Sequence, residues 1–274
     1  MVSRREQVGA YGILFLFAFI AVWPVLAIVL LAFNGPGTLV NGVGLPAHWT
    51  LDSFFAAWTD GGVGPALFNS FVVAISVVGI AVVFSIFTGY AFGTMRFRGQ
   101  GLLFYYFLIG IVVPYEATVI PLYFDFRLLH LTDTYLALIL PQIAFSLSFG
   151  TFWLRSFFRG FPTELIEAAR VDGASTWQVL WQVVLPTAGP SVLALSAILF
   201  IWTWNELLLA IVMIQDPSMQ MAPASLAFFA GLQRTQDLPV VAAAAVLVAL
   251  PVVLIYAVLQ RRYIEGVVAG ALVG

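Results

Sequence analysis

The chain contains no cysteine and no lysine, and only 9% of its 274 residues are charged. Without cysteine there is no disulfide, no thiol nucleophile and no cysteine-ligated metal, although the redox compartment stays open. Without lysine there is no Schiff base and no Walker-type phosphate loop, so the chain cannot hydrolyse ATP by that route. No basic arm is available for nucleic acid. No HExxH occurs, and His48 and His130 are far apart in sequence, which argues against a metal site. Ser146 and Ser148 have no histidine nearby and read as helix-packing residues, so an intramembrane hydrolase would have no nucleophile–base pair.

What the chain has is apolar sequence. Hydrophobic residues make up 62% of it and the mean hydropathy is +1.04, which a water-soluble domain of this length could not hide from solvent. The pattern predicts an all-α polytopic membrane protein with a single transmembrane domain over 1–274. Apolar runs occupy 11–33, 66–94, 102–124, 134–154, 191–213 and 238–260. The first spans roughly 34 Å as a helix, enough to cross a bilayer. It exceeds the apolar core of about 7–15 residues found in a cleaved signal peptide, and no small-x-small site follows it. Pro24 should kink it, and Pro114 and Pro121 should break the third run.

Six spans put both termini on one side. Arg4, Arg5, Arg96, Arg98, Arg155, Arg159, Arg170, Arg261 and Arg262 share that side, whereas Arg127 and Arg234 fall opposite. By the positive-inside rule the shared side, with both termini, is cytoplasmic. The net charge of −2 adds little, because placement matters more than the sum.

The loop over 155–190 is the only long polar interruption that is itself patterned for helix. Thr163 is placed to cap a helix, with Glu164 at the positive end of its dipole. Leu165, Ala168, Ala169 and Asp172 fall at i, i+3, i+4 and i+7, a face of mostly small residues that another protein could approach closely. Gly173 permits the left-handed conformation that ends a helix. Ser175 or Thr176 can cap a second helical run, which Pro186 stops or kinks.

Glu167-Ala168-Ala169, then Gly173, then Leu185-Pro186, resembles the EAA loop of binding-protein-dependent ABC importer permeases. Other stretches resemble the carbohydrate branch of that family, which includes the smaller permease of maltose importers. They are Asn69-Ser70, Tyr90-Ala91-Phe92 with Arg96-Phe97-Arg98-Gly99, Pro114 through Tyr123, Leu131 through Tyr135, Trp204-Asn205-Glu206, and the tail from Gln260 to Gly274. The tail departs from the family at Val273, where a lysine is common; that puts a terminal charge in doubt. The resemblance implies a type I importer permease fold in a prokaryotic inner membrane. It also implies a second, homologous permease, two cytoplasmic ATP-binding subunits that carry ATP and Mg, and an extracytoplasmic solute-binding protein that delivers a sugar or oligosaccharide. No cofactor would be bound by this chain itself. Glu167, Ala168, Ala169, Asp172 and Gly173 would form the coupling element: Glu167 pairing with a cation of the ATPase subunit, the alanines allowing close approach, Gly173 transmitting force.

Glu116 and Glu206 lie within or near apolar runs, where an ionised side chain costs at least about 2.5–3.5 kcal/mol, so each should face a cavity or a partner. Glu206, with Asn205, reads either as a polar contact on a sugar path or as a link to the partner permease. Glu116 reads as a path, gate or interface contact. Trp202 and Tyr123 could line the path or meet lipid. Another solute, such as glycerol phosphate, an amino acid or a peptide, is the alternative within the family. An ion-coupled secondary transporter would call for inverted repeats and midplane ionisable groups, and would leave the loop unexplained.

Overall fold

A computed structural model describes residues 4–39, 44–233 and 237–271. Arg234, Val273 and Gly274 lie outside the described residues, as do the side chains of Arg261, Arg262 and the rest of the tail. All regular structure among the described residues is helical. Four helices are long and apolar enough to cross a membrane, and two bent pairs bring the number to six if each pair is one span.

The chain divides into two compact units, Met1–Pro65 with Ala224–Pro251, and Ala66–Pro223 with Val252–Gly274. The first begins with α1 (Arg4–Ala32), which runs through Pro24 without ending there. The rest of the chain buries no residue in the most apolar part of Gly9–Ala32; Tyr11 and Phe15 are 71% and 73% exposed, and burial begins only at Ala32 at the end of the helix. Such a helix has to be covered by lipid or by another subunit. Asn34 ends α1 by donating from Nδ2 to the carbonyls of Leu30 and Leu31, both at 3.2 Å. The chain then folds back through α2 (Asp52–Thr59), tied by Ser53 Oγ donating to the Asn34 carbonyl at 2.6 Å. Phe33 packs its ring against Trp49 and Phe54.

The second unit holds most of α3 (Val63–Thr94), then α4 (Gln100–Val112), α5 (Tyr115–Leu128) and α6 (Tyr135–Arg159). Next come α7 (Thr163–Val171), α8 (Thr176–Thr187), α9 (Gly189–Trp204) and α10 (Leu208–Met213). Two helices, α11 (Ala222–Gln233) and α12 (Leu238–Ala271), complete the chain.

The α3–α6 pair is built on small residues. A Cβ on Gly89 would stand 2.8 Å from Leu154 Cβ, one on Gly93 2.8 Å from Phe158 Cβ, and one on Gly150 2.1 Å from Ser85 Oγ. Thr88 and Thr151 share a hydroxyl hydrogen bond of 2.6 Å between the same helices. Close backbone approach of this kind replaces the hydrophobic driving force that is missing between helices in lipid. Below the seam, Tyr90, Leu154, Phe158, Ile166, Leu180 and Leu199 join one buried cluster.

The third expected run breaks at Val113-Pro114, where α4 and α5 meet at 93°. Pro121 does not break it and lies inside α5. The fifth expected run, 191–213, is interrupted: α9 stops at Trp204 and α10 starts at Leu208. Asn205 Nδ2 donates to the Ile201 carbonyl at 2.8 Å, and Glu206 Oε1 accepts from Leu209 N–H at 2.8 Å. These side chains offer the backbone an alternative to continuing the helix. The bend of 77° in this region falls upstream, between α8 and α9.

Candidate functional site

The helix α7 starts one residue earlier than a threonine cap would require. Pro162 occupies the cap position with φ −58° and ψ 118°, and no side chain caps the helix. The proline ring fixes φ and cannot accept a hydrogen bond, so Thr163 becomes the first helical residue instead of the cap. Ile166, 6% exposed, anchors the helix to the buried cluster, and Ala169 packs partly against it. Glu164, Leu165, Glu167, Ala168, Arg170, Val171 and Asp172 remain exposed. Of the expected contact face, Leu165, Ala168 and Asp172 point outward, and Ala169 is divided between that face and the core.

The corner forms as expected at Gly173, whose φ is +86°. Ala174 N–H donates to the Ala169 carbonyl at 2.9 Å and Gly173 N–H to the Arg170 carbonyl at 3.0 Å. This paired arrangement satisfies the last carbonyls of α7 and sets the exit direction of the chain. Ser175 then caps α8 through a reciprocal pair: its N–H donates to Gln178 Oε1 at 2.8 Å, and Gln178 N–H donates to Ser175 Oγ at 3.3 Å. A wide π turn over Val179–Val184 follows, burying Val179, Leu180 and Val184. It precedes Pro186, whose missing N–H leaves the ladder incomplete.

The far end of α9 reaches a cavity of about 370 Å³ in the elbow between α4 and α5, closed by α6. Its walls are aromatic and paired. Tyr115 meets Phe145 edge to face with centroids 4.7 Å apart, and Phe149 meets Trp202 at 4.7 Å. Its polar lining is Glu206, Gln142, Ser146 and Thr203. Tyr115 Oη is buried, without a well-directed hydrogen bond, and the Glu206 carboxylate is its charged neighbour.

The structure brings Trp202 and Glu206 together here and leaves the other expected path residues elsewhere. Asn205 is exposed and turned back on its own helix. Glu116 is exposed and Tyr123 half-buried on α5, and neither lines the cavity. Ser146, expected as a packing residue, lines it instead, while Ser148 packs against Gly110. Tyr115, Gln142 and Phe149 were not singled out in the sequence. The spacing of Gln142 and Ser146, one turn apart on an apolar helix and opposite a proline break, is the signal that points to them. Among the described residues no cluster of potential metal ligands forms, and His48 and His130 are in none.

Beyond the cavity a polar clamp fixes the loop after α10. Asn69 Nδ2 donates to the carbonyls of Ser218 and Gln220 at 3.0 and 3.1 Å, and Tyr135 Oη donates to Asn69 Oδ1 at 2.7 Å. Ser70 Oγ accepts from Ala222 N–H at 2.8 Å. Asp133 Oδ1 accepts the backbone N–H groups of Gln215 and Asp216. Asn69 and Ser70 on α3, with Tyr135 on α6 and Asp133 in the turn before it, thus hold one loop.

Residues 81–267 match the family described as the binding-protein-dependent transport system inner membrane component. The chain is 32% identical over 270 residues to the diacetylchitobiose uptake system permease protein NgcG of Streptomyces coelicolor, covering 98% of this chain and 89% of that one. It is 32% identical over 262 residues to the arabinooligosaccharides transport system permease protein AraQ of Halalkalibacterium halodurans, covering 94% and 93%. Its fold is similar to that in a crystal structure of a bacterial ABC transporter involved in the import of the acidic polysaccharide alginate. The TM-score is 0.80 at 23% identity, over 95% of this chain and 98% of that one.

Proposed function

Given that the chain belongs to the binding-protein-dependent transport system inner membrane component family, we propose that it moves a carbohydrate by alternating access, driven through α7 by a separate ATPase. It is a multi-pass permease subunit of a prokaryotic inner-membrane ABC importer for carbohydrate. ATPase and solute-binding partners follow from that membership. The finer reading adds a second, homologous permease and two ATP-binding subunits. ATP and Mg are held on those subunits, and this chain neither binds a cofactor nor hydrolyses ATP.

One observation carries the mechanism: the exposed helix α7 and the cavity are the two ends of one connected lever. The Gly173 corner and the Ser175 cap lock α7 to α8, and α9 carries the chain about 24 Å further at 1.5 Å per residue. It ends on Trp202, Thr203 and Glu206 in the cavity wall. A displacement of α7 by the closing ATPase pair would reach the wall through α8, the 77° bend at Ala188 and α9. Ile166 keeps α7 seated on the bundle, while the exposed Leu165, Glu167, Ala168 and Asp172 would meet the motor. In the cavity, aromatic faces stack on a sugar ring and Glu206, Gln142 and Ser146 exchange hydrogen bonds with its hydroxyls. Arginine placement favours the cytoplasmic side for α7, where an ATPase could reach it.

The test pairs two assays on the assembled importer. Glu167→Arg is expected to remove sugar uptake and substrate-stimulated ATP hydrolysis together, while the chain still inserts and assembles. Normal uptake by that variant would overturn the lever. The purified chain alone should show no ATPase activity.

A further inference from the structure

A second cavity, of about 380 Å³, lies where the α3–α4 turn meets the junction of α6 and α7. We propose that it binds a phosphate-bearing anion, supplied by the headgroup of an acidic phospholipid in the facing leaflet. Arg96, Arg155 and Arg159 line it, and neither aspartate nor glutamate does. Arg155 and Arg159 are one helical turn apart, so their like charges repel along α6. The third arginine approaches from the end of α3. Three cations around one concavity, with no carboxylate among its described lining residues, is an arrangement that an anion relieves.

The site is also shaped. Arg155 Nε donates to the Phe92 carbonyl at 3.4 Å, and its guanidinium carbon sits 3.7 Å from the centre of the Phe104 ring. These contacts fix the guanidinium plane in the wall and leave its fork for a partner; that fork matches two phosphate oxygens at once. Gln100, held by Nε2 donating to the Phe92 carbonyl at 2.9 Å, stands beside it. The volume falls within the range of about 300–1,000 Å³ usual for small-ligand sites.

The surroundings favour a lipid as the source. On the same α4 turns, Leu102, Tyr105 and Tyr106 are 78%, 68% and 71% exposed. An apolar surface with tyrosines next to a basic pocket meets both parts of a phospholipid, the acyl chain and the headgroup. A soluble anion would satisfy the arginines and leave that surface bare. Thr163 and Ile166 of α7 line the same cavity, so the bound headgroup touches the base of the lever and makes its seating dependent on acidic lipid. The lipid source rests on the inward placement of this face, whereas the phosphate chemistry does not. The readout is binding, not uptake, so its failure is separable from failure of the transport reading.

The experiment uses the assembled importer exposed to phosphatidylcholine vesicles with and without phosphatidylglycerol, with retained lipid read by native mass spectrometry. The parent should retain phosphatidylglycerol selectively. Arg96→Gln and Arg159→Gln, both at exposed positions, should each weaken retention about fivefold, which corresponds to about 1 kcal/mol per cation. Arg98→Gln, exposed but outside the cavity, should not. Arg155 stays intact because its ring contact is part of the packing. Arginine-dependent binding of inorganic phosphate with no lipid retained would keep the phosphate site and overturn the lipid source. Equal retention in the variant carrying both Arg96→Gln and Arg159→Gln and in the parent would overturn the proposal. So would loss of the ATPase subunit from the double variant with lipid retention unchanged, which would make the cavity a protein contact.

Discussion

Glycine serves two opposite needs in this molecule, at the α7 corner and along the α3–α6 seam. At Gly173 an added Cβ would meet nothing within 4 Å, but φ is +86°. At Gly150 there is no positive φ, yet an added Cβ would fall 2.1 Å from Ser85 Oγ. The corner has room but a forbidden backbone; the seam has an ordinary backbone but no room. The two should therefore fail differently: a larger residue in the seam costs the fold, whereas one at the corner costs the direction in which the lever leaves α7.

The largest effect is expected from the seam. Gly150→Leu should prevent the helices from closing, because Ser85 Cβ, 2.9 Å from the added Cβ, cannot be moved by a rotamer change, and overpacking alone costs about 1–3 kcal/mol where relaxation is possible. The measurement is the amount of intact chain in the membrane fraction, which should fall to a small fraction of the parent. Next comes the corner. Gly173→Asp should accumulate normally in the membrane yet lose nearly all uptake, although a left-handed non-glycine residue costs only about 1–2 kcal/mol. Gly173→Asn sharpens the contrast, since asparagine tolerates that conformation, and should keep clearly more uptake than Gly173→Val. If Gly173→Asp were instead lost from the membrane, the two regions would not differ in kind.

Smaller effects separate the lever from the cavity. Trp202→Ala should lower uptake roughly tenfold through lost stacking, on the scale of 0.5–1.5 kcal/mol for an aromatic pair beyond burial. Basal ATP hydrolysis should stay unchanged, because the α7 contact is untouched. At the bottom of the scale, Tyr135→Phe removes one hydrogen bond from the loop clamp and should cost about 1 kcal/mol, seen as a few degrees in the melting temperature of the detergent-solubilised protein.

The sequence made the corner readable because its cause is local. A glycine and, two residues on, Ser175 or Thr176 encode the reversal and the cap; Gly173 and Ser175 take those roles, and Gln178, not singled out in the sequence, closes the reciprocal hydrogen bond. Thr163 failed as a cap for an equally local reason, its neighbour Pro162. The cavity was readable only in part, because its lining comes from three separate stretches. Trp202 and Glu206 could be found from polarity and aromaticity within one segment. Tyr115 becomes a neighbour of Glu206 only after the chain has bent by 93° at Val113-Pro114, and Gln142 only once α6 packs beside α9. Asn205 and Glu206 were read as path residues, but they also end one helix and begin another, and that local role breaks the fifth run. The seam was invisible in advance, since nothing in Gly89, Gly93 or Gly150 says which helix will lie against them.

The claim that matters most is that the outward face of α7 is gripped by a separate motor. A chain without cysteine allows this to be measured directly, because Ala168→Cys introduces a single thiol on that face. In the assembled importer it should cross-link to a cysteine placed in the ATPase subunit, with a yield that changes when ATP is added. It should resist a membrane-impermeant thiol reagent applied from outside the cell. Labelling from outside, or no cross-link to any nucleotide-binding subunit in an active complex, would contradict the account.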